Sequence, residues 1–369
     1  MVTSSSLQPN TALLNRMLEP KILALGLGGA GNDLLTDVMD MGMDRVYCIA
    51  ADTDRYHLQI ARAHSKFRIE SEFCSDAGTE GDVNAGRDAA LRASEALQPT
   101  LDGVDLVFVL AGMGGGTGGG AAPVISNLAR KLGALVVGVV TMPFYFKPSK
   151  FRLAVDNIRH MLNTCDTIVL IDQPSASPSS LTLPFGLNPY AAGQTCCSVV
   201  SSIAQTLGNS SLLNSDGAAL RSLLRRGGLA RVGIGDAYSS LGPEEAVLAA
   251  LRNTIPFGHI SDANGIFVDI IGDSDLTDVA VGDALGFLTR QIGADVELLC
   301  GRRTDENLQG ATRIHLLATG IRFPYSTSGC RSIPIDIHEL EPESGDDDDI
   351  GLVLDLHQLE DFSSSRLVA

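Results

Sequence analysis

"LAGMGGGTGGGAAPVIS", residues 110–126, is the stretch that decides the fold of this chain. Six of the seven positions 114–120 are glycine, and the exception is Thr117. An apolar, strand-like run precedes the glycines and a helix-like run follows them, so we expect the helix to begin near Gly120. Glycine loses more conformational entropy on folding than any other residue. These glycines must therefore allow an approach to the backbone that side chains would prevent.

Strand-like and helix-like runs alternate on both sides of this stretch. Continuous β-branched runs separated by helices predict a parallel sheet covered on both faces. Such a sheet binds its ligand at the carboxyl ends of its strands. A long helix is expected at about 191–207, and a smaller α+β part after it. The predicted strands are 21–27, 45–52, 66–70, 106–112, 135–143 and 167–172.

The length of 369 residues allows two domains, and the changes in pattern along the chain suggest where they lie. We expect a frayed N-terminal extension, a first domain that includes the long helix, a smaller C-terminal domain and an acidic tail. The predicted ranges are 1–19, 20–207, 208–325 and 326–369.

Charge and composition exclude several classes of protein. The net charge of −17 argues against a nucleic-acid-binding protein. We see no apolar run long enough to span a membrane and no secretory signal, so we expect a cytoplasmic protein without direct membrane insertion. The seven cysteines and seven histidines show no disulfide framework and no metal-binding spacing. We expect the cysteines to be buried as small hydrophobic residues.

A second glycine motif, "GLGGAG" at 26–31, also lies between a predicted strand and a predicted helix. With Asp52, 21 residues beyond Gly31, it fits a dinucleotide-binding fingerprint, but that interpretation leaves the 110–126 stretch unexplained. Two glycine loops at neighbouring strand ends can instead surround one polyphosphate with backbone N–H groups and helix N-termini. The absence of a Gly-Lys dipeptide excludes a P-loop NTPase.

These motifs resemble those of the tubulin/FtsZ superfamily. "AGMGGGTGGGAAP" resembles its signature loop, and "KILALGLGGAGND", "AADTD", "VVTMPFYF", "LLNSD" and "ATRIHLLATGI" resemble further FtsZ motifs in the same order, from about residue 20 to 323. The resemblance implies that the chain binds GTP or GDP, together with Mg²⁺, and polymerises head to tail with itself or with another FtsZ-like protein.

The resemblance also assigns roles to residues that match the family motifs. The phosphates would lie between two groups of residues, and Asp52 and Asp54 would lie near the ribose or a water bound to Mg²⁺. Tyr190 and Gln194 have the spacing of the residues that stack on and read guanine, and Arg152 matches the family arginine after a shift of one position. The predicted phosphate-binding residues are Gly28, Gly29, Asn32, Gly114, Gly115, Gly116, Thr117 and Gly118.

The loop that would reach the nucleotide of a neighbouring subunit departs from the family pattern. Asn214 and Asp216 match the family residues that promote hydrolysis, but Ala219 stands at the position of the second acid. The next acid along the chain is Asp236. Because a methyl group cannot position water, we expect slow or absent hydrolysis, although the resemblance implies a GTPase. Gly119, where the family usually has serine or threonine, is a further departure.

The sequence is compatible with three functions. The first is a GTP-binding cytoskeletal protein of prokaryotic cell division or cell shape. The second is a non-hydrolysing regulator that co-assembles with or caps another FtsZ-like filament. The third is an NAD-dependent oxidoreductase, which only "GLGGAG" and Asp52 favour. The acidic tail suggests a solubilising segment, with a segment at 350–362 that binds an adaptor as the alternative.

Overall fold

The computed structural model describes residues 20–43, 45–70, 76–143, 148–171, 192–209, 215–238, 241–253, 260–292 and 296–322. The strands in these ranges are β1 Ile22–Leu27, β2 Val46–Asp52, β3 Ser65–Arg68, β4 Leu106–Gly112, β5 Leu135–Thr141, β6 Thr167–Ile171, β7 Gly228–Tyr238, β8 Gly265–Gly272, β9 Glu297–Thr304 and β10 Ala311–Thr319. The helices are α1 Gly28–Asp40, α2 Arg55–Ile60, α3 Val83–Leu101, α4 Gly116–Lys131, α5 Pro148–Leu162, α6 Ala192–Asn209, α7 Ser215–Arg225, α8 Pro243–Arg252 and α9 Asp278–Ile292.

All the described strands belong to one sheet, in the order β3-β2-β1-β4-β5-β6-β7-β10-β8-β9. The strands from β3 to β7 run parallel to their neighbours. Strand β10 runs antiparallel to β7 and β8, and β9 is parallel to β8. The expected α/β class is therefore confirmed, with a parallel sheet in the first part and a smaller α+β part after the long helix.

The central strands are buried along almost their whole length because helices cover both faces of the sheet. Strands β1 and β5 have no exposed residue, and β4 has only Gly112 partly exposed. Their side chains are aliphatic apart from a few residues such as Phe108, which is fully buried. Burying each large aliphatic side chain contributes about 1.5–3 kcal/mol, so this core supplies most of the driving force that holds the strand ends in place.

Helix α6 is the predicted long helix, and it packs against α1 and against strands of both parts of the sheet. Its buried face carries Cys196, Val200 and Ile203. The Ser202 hydroxyl lies 2.7 Å from Nδ1 of His315 on β10. Burial, followed by the nearby Arg303 and Arg313, holds the pKa of His315 well below its usual value. The neutral imidazole therefore connects α6 to the second part of the sheet.

The predicted domain boundary at 207/208 lies at the end of α6, and it stays a prediction. Across it, β6 and β7 are paired directly, from Thr167 with Gly228 to Val169 with Ala230. The two predicted domains thus share one continuous sheet in this structure.

Both glycine-rich helices begin earlier than the sequence suggested. Helix α4 starts at Gly116, so the expectation of a start near Gly120 was wrong by four residues. Helix α1 starts at Gly28, inside "GLGGAG". Glycine has a low intrinsic helix propensity, but tertiary contacts can override it. Here close packing with neighbouring backbone holds these glycines in the helical conformation.

The described thiols are free, and all but Cys300 are buried. Burial raises the pKa of Cys48 to about 11 and that of Cys165 to about 12, which keeps them as unreactive thiols. Among the residues that the structure describes, no helix is both long enough and apolar enough to cross a membrane. The predicted extension 1–19 and the acidic tail 326–369 lie outside the described residues.

Candidate functional site

A cavity of about 460 Å³ lies at the carboxyl ends of the central parallel strands. Strands β2, β1, β4 and β5 are adjacent, so the segments that follow them meet at one edge of the sheet. Both glycine motifs contribute to the wall. Its lining residues include Gly28, Gly29, Asp52, Asp54, His57, Thr79, Glu80, Gly114, Gly115, Gly116, Thr117, Gly118 and Lys150.

The two helices that begin at this cavity, α1 and α4, lack the side-chain caps that α2 and α3 have. Asp54 caps α2 and Asp82 caps α3, each by accepting hydrogen bonds from two backbone N–H groups. By contrast, neither α1 nor α4 has a side-chain cap or an acidic residue in its first turn. Their first N–H groups and positive dipole ends are therefore available to an anion in the cavity.

Two glycines allow the loops and a ligand to approach closely. Gly28 has φ +69°, and a Cβ there would lie 2.9 Å from the Gly118 backbone nitrogen. The two motifs thus touch each other at this point. Gly115 is different, because a Cβ there would meet no atom closer than 3.9 Å. Gly115 is the position of the 114–120 run at which a side chain would project into open space on the cavity side.

The glycines that follow are required by the protein itself. A Cβ on Gly116 would overlap the Thr79 hydroxyl, and one on Gly118 would overlap the Gly112 carbonyl oxygen. A Cβ on Gly120 would overlap the Val83 carbonyl oxygen of α3. We expected a ligand to approach the backbone at these glycines, but at these three positions the approaching groups belong to the same chain.

At Gly119, too, the space that a side chain would need is occupied by the same chain, here by a neighbouring side-chain amide. A Cβ on Gly119 would overlap Nδ2 of Asn157, a residue of α5 that is almost fully buried. This Nδ2 donates a 2.8 Å hydrogen bond to the Met113 carbonyl oxygen. Asn157 thereby fills the space of the missing side chain and fixes the start of the glycine loop.

We expect Gly119→Ser to destabilise the protein by about 1–3 kcal/mol, because the serine Cβ needs the space of the Asn157 amide. Asn157→Ala alone leaves the Met113 carbonyl without its donor and costs about 1–3 kcal/mol. The double variant should lose less than the sum of the two, since the smaller side chain relieves the overlap. Urea unfolding of the four proteins measures this coupling, and strict additivity would contradict it.

Three threonine hydroxyls meet beside the glycine loop. Oγ1 of Thr117 lies 2.6 Å from Oγ1 of Thr53 and 3.3 Å from Oγ1 of Thr79. Each hydroxyl carries one hydrogen, so two mutual bonds leave one O–H for another acceptor. Sequence reasoning missed Thr79 and its loop 77–81, where Glu80 has a positive φ of 50°. The glycines at 78 and 81 marked a turn, but a turn alone does not predict a ligand.

Asp52 lies at the end of β2 with its side chain buried. Its Oδ1 accepts a hydrogen bond from the Asp54 backbone N–H, and its Oδ2 accepts one from Nδ2 of Asn32. Burial raises the pKa of Asp52, while the hydrogen bond from Asp54 and the nearby His57 act in the opposite direction. Asn32, which we expected beside the phosphates, does not line the cavity. It is fully buried behind Asp52 and donates a hydrogen bond to that carboxylate.

Helix α5 brings Lys150 to the cavity, which the sequence analysis did not select. Arg152, which it did select, lies exposed two positions further on and does not line the cavity. Residues two apart on a helix point in very different directions, about 200° apart. Phe151, between them, is buried in the core. The structure therefore places Lys150, and not Arg152, at the cavity.

Gln194 lines a separate cavity of about 640 Å³, between α1, α6 and the second part of the sheet. The two cavities share no lining residue, but α1 contributes to both, through Gly29 to one and through Asp37 to the other. Tyr190 lies outside the described residues. The structure thus brings the predicted phosphate-binding glycines together and leaves Gln194 apart from them.

Of the predicted catalytic loop, the structure describes only the part that belongs to helix α7, from Ser215 onward. Asn214 lies outside the described residues, and Asp216 is in the first turn of α7. Ala219 is partly exposed on the same helix. Asp236 cannot replace a missing acid, because it is buried on β7 and forms a two-fold hydrogen-bonded pair with Arg313, at 2.8 and 2.7 Å.

Two family models match the chain. The GTPase domain of the Tubulin/FtsZ family matches residues 21–175, and the C-terminal domain of the FtsZ family matches residues 228–322. Cell division protein FtsZ 2 of Methanocaldococcus jannaschii is 34% identical over 310 residues, which cover 83% of this chain and 81% of that protein. Cell division protein FtsZ of Methanothermobacter thermautotrophicus is 31% identical over 306 residues, 83% of this chain and 80% of that protein.

Solved structures show the same architecture. A structure described as an empty FtsZ dimer from M. jannaschii has a TM-score of 0.75 and 29% identity, and covers 85% of this chain and 93% of its own. A GTPγS-bound protofilament of CetZ2 from Haloferax volcanii has a TM-score of 0.67 at 20% identity, over 82% of this chain and 94% of its own. At that identity the second similarity concerns the fold alone.

Proposed function

The chain belongs to the tubulin/FtsZ family, and from that premise we propose that it is a GTP-binding cytoskeletal protein that assembles head to tail in cell division. The observation that carries the proposal is the pair of uncapped helices, α1 and α4, that begin at one cavity. Shape control in place of division, and another FtsZ-like chain as the assembly partner, are alternatives within the same proposal.

Four features of the cavity suit the phosphates of a nucleotide. The free N–H groups of two helices face it, and Gly115 leaves open space beside the backbone. Lys150 adds a positive charge, and the threonine cluster has one O–H to donate. Gly28, Gly29 and Gly114 to Gly118 would hold the phosphates, while Asn32 would act through Asp52.

The nucleoside part of the ligand is proposed from the family resemblance. Gln194 and Tyr190 would recognise guanine, and the amide of Gln194 has both the donor and the acceptor that a purine edge requires. Among the described residues, no group of three potential metal ligands is present. Mg²⁺ would therefore be held chiefly by the phosphates and water, with Asp54 as an acceptor for a bound water.

Hydrolysis should be weak, because the loop that enters the neighbouring site carries Ala219 in place of an acid. The buried Asp236–Arg313 pair supports this view, because Asp236, the next acid along the chain, is paired with Arg313 and cannot take the place of the missing acid. A non-hydrolysing regulator that co-assembles with or caps another filament is the second candidate. The missing acid favours it, and an adaptor that binds the acidic tail would fit either function.

Nucleotide binding and light scattering of the purified protein test the proposal. We expect bound GDP or GTP, and a scattering signal that rises with GTP and persists with a slowly hydrolysed analogue. Binding without any rise in scattering would support the regulator. A protein that binds neither nucleotide would refute both, and phosphate release at the rate of a typical FtsZ would refute the weak-hydrolysis proposal.

Gly115→Ala is expected to weaken GTP binding by at least about tenfold without unfolding the protein. The new methyl group enters open space, but it stands where a phosphate would approach the first turn of α4. Loss of an N-terminal glycine cap costs less than about 1 kcal/mol of stability. Fluorescent GTP titration together with a thermal melt checks both points; unchanged affinity would place the phosphates elsewhere.

A further inference from the structure

His57 lies on the wall of the proposed phosphate cavity. It belongs to the short helix α2, and its ring packs over Gly29, where a Cβ would meet the nearest imidazole atoms at 3.4–3.6 Å. The side chain is 29% exposed, so it is held in place but remains accessible from the cavity. Its Nδ1 atom is buried without a hydrogen-bond partner among the described residues.

Two carboxylates flank this imidazole. Nδ1 lies 3.8 Å from Oδ2 of the buried Asp52, and Nε2 lies 3.6 Å from Oδ1 of Asp33 on α1. The third carboxylate nearby is that of Asp54, which accepts a hydrogen bond from the His57 backbone N–H. The cavity wall further contains Lys150 of α5 and Glu80 of the loop before α3.

The described residues of the cavity wall carry too little positive charge to neutralise a polyphosphate. Asp52, Asp54 and Glu80 are acids, and Lys150 is the one lysine or arginine among the described lining residues. The two helix N-termini contribute roughly half a positive charge each. A nucleoside di- or triphosphate would add several negative charges to this wall. Histidine is the side chain that can supply a positive charge by taking up a proton between pH 5 and 8.

We propose that His57 is a phosphate-binding residue whose imidazole takes up a proton when a nucleoside di- or triphosphate enters the cavity. The inference rests on the proposed nucleotide site and adds a regulation to it. The Nε2–H of the imidazolium would point to the phosphate beside the first turn of α1, in place of the exposed Asp33 carboxylate, and the buried Asp52 carboxylate would hold the ring in that orientation through Nδ1–H. Nucleotide affinity therefore depends on pH through this side chain, in addition to the titration of the nucleotide itself.

The direction of the effect follows from linkage. If binding favours the protonated imidazole, lowering the pH strengthens binding until the free protein is itself protonated. We expect wild-type affinity for GDP to be about tenfold higher at pH 6 than at pH 8, beyond any change seen in a variant without the imidazole.

Isothermal titration with GDP and with GTP, at constant Mg²⁺, tests the proposal on the full chain. Titrations in two buffers of different ionisation enthalpy at pH 7 give the number of protons taken up. The comparison is between wild type, His57→Gln and, as a matched control, His160→Gln. His160 is exposed near the end of α5 and does not line the cavity. Titration of the nucleotide itself cancels between the three proteins.

The expected result is proton uptake in wild type and in His160→Gln that is absent in His57→Gln, together with weaker binding by that variant at pH 6. Equal proton uptake and equal pH dependence in all three proteins would overturn the inference while leaving the nucleotide site intact. If the wild-type protein binds neither nucleotide, the proposed function fails first. A thermal melt of each variant shows that it is folded.

Discussion

Gly120→Ala is expected to destabilise the protein by about 3 kcal/mol, although the same change usually stabilises a helix by up to about 1 kcal/mol. The new Cβ would overlap the Val83 carbonyl oxygen and would come close to the backbone at Gly86 and Arg87. These are backbone atoms of α3, so no side chain can rotate away. Helices α3 and α4 would have to separate, which also moves the N-terminus of α4 at the cavity.

Gly282→Ala provides a matched control for this prediction. Gly282 lies inside α9, and a Cβ there would meet no atom within 4 Å. Alanine should stabilise this helix by about 0.5–1 kcal/mol, so the two identical substitutions have opposite signs. Thermal unfolding without nucleotide measures both. A Gly120→Ala protein as stable as wild type would mean that α3 and α4 do not pack as closely as described.

Ala219→Asp is expected to raise GTP hydrolysis in the assembled protein by about 10²-fold or more. The substitution restores an acid at the position where the family resemblance places the second water-positioning group. Positioned general bases contribute about 10²–10⁴-fold in rate. Ala219 is partly exposed on α7, so the carboxylate can be accommodated without burying a charge.

The neighbouring Ala218→Asp is the control, because it adds the same charge one position away on an exposed site of α7. Only Ala219→Asp should release phosphate faster, above a protein concentration at which subunits meet. Rates that rise equally in both variants would indicate a general effect of charge. No change in either would count against the alignment of "NSDGAA" with the family loop.

The order of the elements could be predicted from the sequence because it depends on local patterns. Buried strands such as β4 and β5 appear as continuous apolar runs, and their predicted ranges differ from the observed ones by two residues at most. The glycine motifs then predicted both the family and the edge of the sheet at which the cavity lies. None of this required knowledge of which residues meet across the chain.

Residues that act through distant contacts could not be predicted in this way. His57 and Thr79 have no periodic pattern or motif that marks them, and they reach the cavity only because β2 and the loop before α3 lie beside the glycine loop. Arg152 was selected by alignment, whereas the turn of α5 directs Lys150 to the cavity. Residues two positions apart on a helix point in directions about 200° apart.

The sequence by itself determined that the backbone around Gly114–Gly120 must be approached closely, since glycine is what remains when no side chain fits. Only the tertiary structure decided what approaches it. At Gly116, Gly119 and Gly120 the approaching groups are Thr79, Asn157 and the backbone of α3, and at Gly115 the space is open to a ligand. A close neighbour excludes every side chain and so requires glycine, whether that neighbour is a phosphate or another part of the protein. Only the three-dimensional arrangement of the surrounding atoms tells whether a glycine makes room for a ligand or for another part of the protein.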